Sequence, residues 1–566
     1  MISSRTIKHI VVLVIVVALS LLNAYSLKTL EVVGIPFIFS TALILQLLLL
    51  VTFIFSLAIT LRTPLRIMGS IVVSAARGVQ ENVYVTSWRI RQPRLVAWVG
   101  RRFSLKHPAG LILTLGTIAA AAAVVTFLSV ANAVLAKSTY AAVDQRILNL
   151  VPDIRSSGQN AFFVFFTFGT SWLSAVFFLL LLGASTLWKK QSRWLFFLFT
   201  GAAVATSLVS TVAKRVVGRP RPDRALGLVT ESSFGFPSGH TLYAVVLGGL
   251  LAYLLVRASK PYALKLAIIL VSITTILLVS LSRIYLGVNY PSDVLGSLML
   301  GLCILAVLIA ALEINERYEV LKSWRWRASI VRPLLLAVVA TLIFAGLFGA
   351  RLTSLVAVSS SGPQQQPLRS IDSSTVGQLP VYSETLTGNK MEPINFIYLG
   401  TQDQIEAMFK RAGWHKADPS TPENTLQAIV IALRNEQYLT APVTPSYLNA
   451  EPETMAFEQP TNANTLVQRH HTRFWKTSFT VHDQPVWVAT ASFDRGIGVG
   501  LKTGLPTHHI DPNVDAERTY ILESLKINKP RMIRVVDPQL GLNATGDGFF
   551  TDGQAAIINV AETENQ

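Results

Sequence analysis

Cysteine is nearly missing: Cys303 is the only one in 566 residues, so no disulfide can form within the chain. Cys303 falls inside an apolar run and is read as packing. Charge is scarce too. Asp, Glu, Lys and Arg make up 14% of the residues against 51% hydrophobic ones, and the mean hydropathy is +0.47, which excludes an ordinary soluble protein. Between 61 and 106 the charges are almost all of one sign. There Glu81 stands alone against Arg62, Arg66, Arg77, Arg89, Arg91, Arg94, Arg101, Arg102 and Lys106.

What the chain has in quantity is long apolar runs. Runs able to cross a bilayer core of ~30 Å occur at 10–25, 36–60, 109–135, 161–188, 194–213, 241–256, 264–281, 294–312 and 334–348, and nine membrane helices are expected. Arg5 and Lys8 precede the first run, and no small-residue cleavage site follows Leu22. An uncleaved signal anchor is therefore expected rather than a removed leader.

The basic segment 61–106 is assigned to the cytoplasm by the positive-inside rule. Lys189, Lys190 and Arg193, then Arg257, Lys260 and Lys265, then Arg317, Lys322, Arg325, Arg327 and Arg332 fall on the same side by alternation. The net charge of +17 is thus a topology signal and a contact with anionic membrane lipids, not a nucleic-acid face. From residue 351 onward the chain carries 22 acidic and 17 basic residues, so no nucleic-acid partner is expected there either.

Three polar clusters on the opposite, external side break the apolar pattern. They read Lys214-Arg-Val-Val-Gly-Arg-Pro-Arg221-Pro222, Pro237-Ser238-Gly239-His240, and Ser282-Arg283-Ile-Tyr-Leu-Gly-Val-Asn289-Tyr-Pro-Ser-Asp293. External loops should be poor in cations unless those cations bind something. Lys214, Arg221 and Arg283 are candidate clamps for a phosphate. Gly218, Pro220 and Pro222 would turn the backbone so that Lys214 and Arg221 converge on one oxyanion. Ser238 and Gly239 open an expected helix, where unpaired N–H groups favour an anion and Gly239 permits close approach. His240 can serve as a general acid. Asp293 lies four residues after Asn289, within side-chain reach in a first helical turn.

In order and spacing these clusters resemble the signature of the type 2 phosphatidic acid phosphatase superfamily, over roughly residues 107–313. That pattern is Lys, six residues, Arg-Pro; Pro-Ser-Gly-His; and Ser-Arg, five residues, His, three residues, Asp. Every element matches except the last histidine, replaced by Asn289. The resemblance implies a six-helix membrane phosphatase, with His240 as acid and a histidine at 289, oriented by Asp293, attacking phosphorus. It implies no metal and no other cofactor. Vanadium-dependent haloperoxidases share a similar cluster set, but they are soluble and this chain is not.

An asparagine amide is not a useful nucleophile, because its lone pair is delocalised. The expectation is a pocket that binds phosphate but turns over little, with a loss on the order of 10⁴ to 10⁶. Because a drifting pseudoenzyme would lose several catalytic groups and the other motif residues are intact, a deliberate inactivating substitution in a working phosphatase is favoured over a natural variant. The expected function is a bacterial inner-membrane lipid phosphatase or pyrophosphatase acting on a phosphate ester or diphosphate of undecaprenyl pyrophosphate or phosphatidic acid type. The rival is a non-catalytic phospholipid-binding or transport protein.

The domain expectation is 1–106 for two membrane helices and a basic loop, 107–313 for the phosphatase core, 314–358 for a cytoplasmic loop and last span, 359–367 for a linker and 368–566 for a soluble α+β domain. The linker, Ser359-Ser-Ser-Gly-Pro-Gln-Gln-Gln-Pro367, suits a flexible tether. Stretches 395–399 and 486–493 read as strands, and 402–412 and 514–525 as helices. Parity places this domain on the external, periplasmic side with the three clusters, where it could meet a partner.

The stretches Arg469-His-His-Thr-Arg-Phe-Trp475 and Thr507-His-His-Ile-Asp-Pro512 resemble the LssY-type carboxy-terminal domain. His470, His471, His508, His509 and Asp511 are candidate metal ligands. Adjacent histidines on a strand face opposite ways, so each pair could give one ligand to a common site, and solvated or hydrogen-bonded histidines are the expectation.

Overall fold

The structure is a computed structural model that describes residues 81–102, 110–136, 139–152, 155, 157–186, 193–223, 226–229, 231–318, 331–353, 366–421, 436–461, 468–499, 506–544 and 546–563, with scattered positions in 53–78 and 424–434. The first expected span, and nearly all of the second, lie outside the described residues. The chain divides into two units, 1–136 with 155–359, and 137–154 with 360–566.

The first unit is helical. Short helices α1 (Val83–Arg91) and α2 (Pro93–Arg102) precede α3 (Leu111–Leu135). After α4 (Thr139–Leu150), which belongs to the second unit, come α5 (Ser157–Gly169), α6 (Trp172–Thr186), α7 (Arg193–Val217), α8 (Gly239–Ala258), α9 (Tyr262–Tyr285), α10 (Pro291–Tyr318) and α11 (Val331–Thr353). Among the described residues five helices are long and apolar enough to cross a membrane, six if α5 and α6 form one broken span. The chain is therefore a multi-pass membrane protein.

One expected span needs correction. The run 161–188 is not one helix. It bends by 52° between α5 and α6, where Thr170 and Ser171 interrupt it after Gly169 and Ser174 Oγ donates to the Phe168 carbonyl at 2.7 Å. The last expected run, 334–348, lies within α11, a helix of 23 residues. A single π-helical turn, Ala244–Gly248, sits within α8.

Leu182, Trp194, Leu195, Phe199, Val246, Leu250, Leu254 and Leu334 pack together, joining α6, α7, α8 and α11. Because α7, α8, α9 and α10 run alternately up and down, the end of α7, the start of α8, the end of α9 and the start of α10 come together. Close packing supports this: a Cβ on Gly296 of α10 would stand 2.5 Å from the Phe236 ring.

The second unit is built on a nine-stranded sheet. Its strands β12 (Arg531–Arg534), β15 (Gln554–Asn559), β4 (Phe396–Leu399), β10 (Gln484–Val499), β9 (Arg469–Val481), β8 (Met455–Pro460) and β5 (His415–Lys416) lie side by side in that order. Strand β1 (Gln366–Leu368) adds to β9 and β11 (Pro506–Ile510) to β10. Successive strand residues face opposite ways. Phe396, Tyr398, Phe474, Trp487 and Ala489 accordingly pack with Ile405, Phe409 and Ile521 from the helices Gln402–Arg411 and Val514–Ser524. Ile397, Trp475, Val486 and Val488 fill the other face. A smaller sheet has the order β3 (Lys390–Pro393), β2 (Tyr382–Glu384), β6 (Tyr447–Leu448), β7 (Glu451–Pro452), and β13 (Gln539–Leu542) pairs with β14 (Gly548–Thr551). This is the expected α+β domain.

Candidate active site

Gly218, with φ of +60°, ends α7 in the left-handed region that glycine tolerates, and the chain turns through Arg219-Pro-Arg221-Pro222. Lys214 on the last turn of α7 donates to Ser233 Oγ at 2.9 Å and to the Phe234 carbonyl at 2.7 Å. Arg221 comes back towards it, with Nε donating to the Ser233 carbonyl at 2.6 Å and Nη1 to the Val288 carbonyl at 2.6 Å.

Arg283, on the last turn of α9, is fully buried. Its Nη2 donates to Glu231 Oε1 at 2.7 Å and its Nε to Asn289 Oδ1 at 3.3 Å, while Nη1 is buried with no hydrogen-bond partner among the described residues. Glu231 also receives Arg221 Nη2 at 3.4 Å and lies 3.9 Å from His240 Nδ1. Burial raises the Glu231 carboxyl, but Arg283 and Arg221 together outweigh it and hold the group below its ordinary value. Burial pushes the Arg221 guanidinium down, with Glu231 and Asp293 opposing.

Ser238 is the N-cap of α8, yet its hydroxyl does not cap the helix; it donates to Asn289 Oδ1 at 3.3 Å. Gly239 opens the helix and His240 follows in its first turn. Asn289 is therefore wrapped on both sides of its amide. The oxygen receives Ser238, Arg283 and, at 3.4 Å, Arg221, while Nδ2 donates to the Gly235 carbonyl at 2.9 Å and to Asp293 Oδ2 at 3.3 Å. Asp293 is buried in the first turn of α10, accepts the Tyr290 N–H at 3.0 Å and pairs with Arg219 at 2.7 Å. The three sequence clusters thus meet around one polar centre. A cavity of about 630 Å³ adjoins it, lined by Lys214, Arg221, Glu231, Ser233, Phe234 and Val288 among others.

Residues 194–317 match the PAP2 superfamily and residues 376–555 match the LssY C-terminus family. Over 132 residues the chain is 37% identical to the decaprenylphosphoryl-5-phosphoribose phosphatase of Mycobacterium tuberculosis, a stretch that covers 23% of this chain and 67% of that protein.

The chain belongs to the PAP2 superfamily.

It is also 43% identical over 98 residues to the phosphatidylglycerophosphatase B of Bacillus subtilis, covering 17% of this chain and 47% of that protein. The chain thus spans about half the length of that relative. A solved transmembrane PAP2-type phosphatidylglycerolphosphate phosphatase from Bacillus subtilis aligns with a TM-score of 0.32 at 28% identity, covering 35% of this chain and 98% of that one.

Three groups of this PAP2 centre were not singled out from the sequence. Glu231 and Ser233 lie between the first two clusters, and Arg219 stands within the first cluster with no role of its own there. Glu231 had a signal: it is an acid within a stretch whose buried cations need a counter-charge.

The histidines of the LssY-type domain engage other groups. His470 Nδ1 lies 2.9 Å from Glu517, His471 Nε2 lies 2.8 Å from Arg473 and 3.0 Å from Ser492, and His509 Nδ1 lies 2.6 Å from Asp547. His508 is on β11, but its side chain is outside the described residues, and Asp511 N donates to the Phe493 carbonyl. No group of three His, Cys, Asp or Glu suited to a metal occurs among the described residues.

Proposed function

We propose that the PAP2 unit binds the terminal phosphate of a lipid phosphate or diphosphate, and that Asn289 deprives it of the nucleophile needed to hydrolyse the ester. The observation that carries this is the convergence of Lys214, Arg221 and Arg283 on one buried centre with the Arg283 Nη1 donor unpaired. Fixed cations in a water-poor site stabilise a phosphate dianion far better than they would in water. His240 stands where it can protonate the departing oxygen, and Ser238 with the α8 amino terminus can hold the equatorial oxygens.

The phosphohistidine route would need an imidazole nitrogen at position 289 held by Asp293. Asn289 makes the Asp293 hydrogen bond and presents an oxygen, not a nitrogen, to the cations. This favours binding without turnover in the present chain, the reading in which the protein is a phospholipid binder. The names of the relatives support lipid-linked substrates, and the polyprenyl-linked one favours a polyprenyl carrier such as undecaprenyl pyrophosphate over phosphatidic acid. The charge pattern supports a site and a soluble domain on the periplasmic side of a bacterial inner membrane.

Phosphate release from a panel of lipid phosphates and diphosphates by the unaltered and Asn289→His proteins tests the reading. The expected gain is at least ~10³-fold on one or more lipids. If neither protein releases phosphate from any of them, the catalytic ancestry of the site is irrelevant to this chain and the pure binding reading stands alone.

A further inference from the structure

The strand-rich unit contains one segment that does not come from the tail. Residues 137–154 connect membrane helices α3 and α5 in the chain, yet α4 folds as part of the second unit. Short connections between membrane helices are ordinarily solvated. This one buries polar and apolar side chains alike: Arg146 is 4% exposed, Leu148 1% and Asn149 8%.

Arg146 and Asn149 both have partners in the carboxy-terminal domain. Arg146 pairs with Glu384 on β2, and its guanidinium lies 5.9 Å from the centre of the Tyr447 ring on β6. It rests against Gly388, whose φ is +81°; a Cβ there would come within 3.0 Å of Arg146 Nη1. Asn149 Nδ2 donates to the Ala450 carbonyl and to Glu451 Oε1, both at 3.0 Å, and Gln145 Nε2 donates to Asn149 Oδ1 at 2.8 Å.

We propose that α4 is the receptor on this chain for its own LssY-type domain, a clasp that holds the domain at the membrane independently of the 359–367 linker. Recognition rests on a buried cation and an amide carried by the loop, met by Glu384, Tyr447, Glu451 and the glycine at 388. Removing one member of a buried ion pair leaves the other unpaired in a poor solvent for charge, which makes Arg146 the sensitive position.

The test uses full-length protein in membrane vesicles with a protease site built into 359–367. After cleavage and sedimentation, the tail fragment of the unaltered protein is expected in the membrane pellet. Arg146→Glu should lower the ratio of pelleted to soluble tail on the order of 100-fold. Glu384→Arg in the same chain should restore it. Asn149→Ala, a milder change, should lower the ratio about 10-fold. Fluorescence of the buried Trp414, Trp475 and Trp487 must stay unchanged, so that release reports lost docking and not unfolding. Where Arg146→Glu alters that fluorescence, Asn149→Ala decides. Release of the tail from the unaltered protein overturns the proposal. So does undiminished retention in the variants, which would point to lipid contact through the exposed Leu540 and Leu542, or a charge exchange that fails to restore binding.

Discussion

Glu231 offsets one of the three positive charges that Lys214, Arg221 and Arg283 bring to the PAP2 centre, and the neutral Asn289 amide accepts hydrogen bonds there. The Asn289 oxygen takes hydrogen bonds from two guanidinium groups, and Glu231 bridges the same two. An incoming phosphate must therefore displace the Glu231 carboxylate, with which it shares both charge and hydrogen-bond demand. Glu231→Ala is expected to tighten orthovanadate or inorganic phosphate binding about 10-fold, the size of a lost charge-assisted competitor. Isothermal titration of the two proteins measures it, and unchanged or weaker binding would show that Glu231 supports the site instead of occupying it. None of this was visible in the motif pattern. The motifs marked the cations by their spacing, but a sequence does not say which nearby acid will neutralise them.

The same limit appears among the helices and loops. The ends of α7 and α9 and the starts of α8 and α10 were readable, because a cation, serine or proline at the border of an apolar run has a clear reason to be there. The bend between α5 and α6 was not, since glycine and hydroxyl residues within an apolar run are compatible with a continuous helix until packing decides. Nor could α4 be assigned to the soluble domain, because its partners lie about 240 to 300 residues away in the chain. Gly287 shows how tightly one such loop is fixed. Its φ is +69°, and a Cβ there would stand 2.1 Å from the Leu226 carbonyl oxygen. Gly287→Ala should cost at least ~2 kcal/mol and displace the segment that carries Asn289. A lowered melting temperature together with weakened anion binding checks this; a fully stable, fully binding variant would contradict it.

For the molecule as a whole, two buried groups of the soluble domain respond to pH in opposite directions. Burial pushes His471 of the soluble domain down to about 4, against an ordinary 6.5. Its folded value is the depressed one, so its contribution is present above about pH 6.5 and is lost as pH falls towards 4. Burial raises the Glu458 carboxyl to about 7, despite its bond to Arg469, and this term runs the other way, losing stability as pH rises. Comparing thermal melts of the parent and His471→Gln from pH 7 to 4 cancels Glu458. The parent should lose more stability on acidification than the variant; parallel curves would contradict the assignment. The membrane-plus-α+β architecture itself was legible, because hydropathy and strand periodicity are local properties. The order of the nine strands was not, because pairing is set by contacts far apart in the chain.

The central claim is that three separated sequence clusters build one anion site. Titration of the unaltered protein with orthovanadate, beside Lys214→Ala, Arg221→Ala and Arg283→Ala, tests it most directly. Saturable binding at a single site, weakened about 10- to 100-fold by each substitution, is the predicted result. Absence of binding, or binding that survives all three changes, would contradict the account.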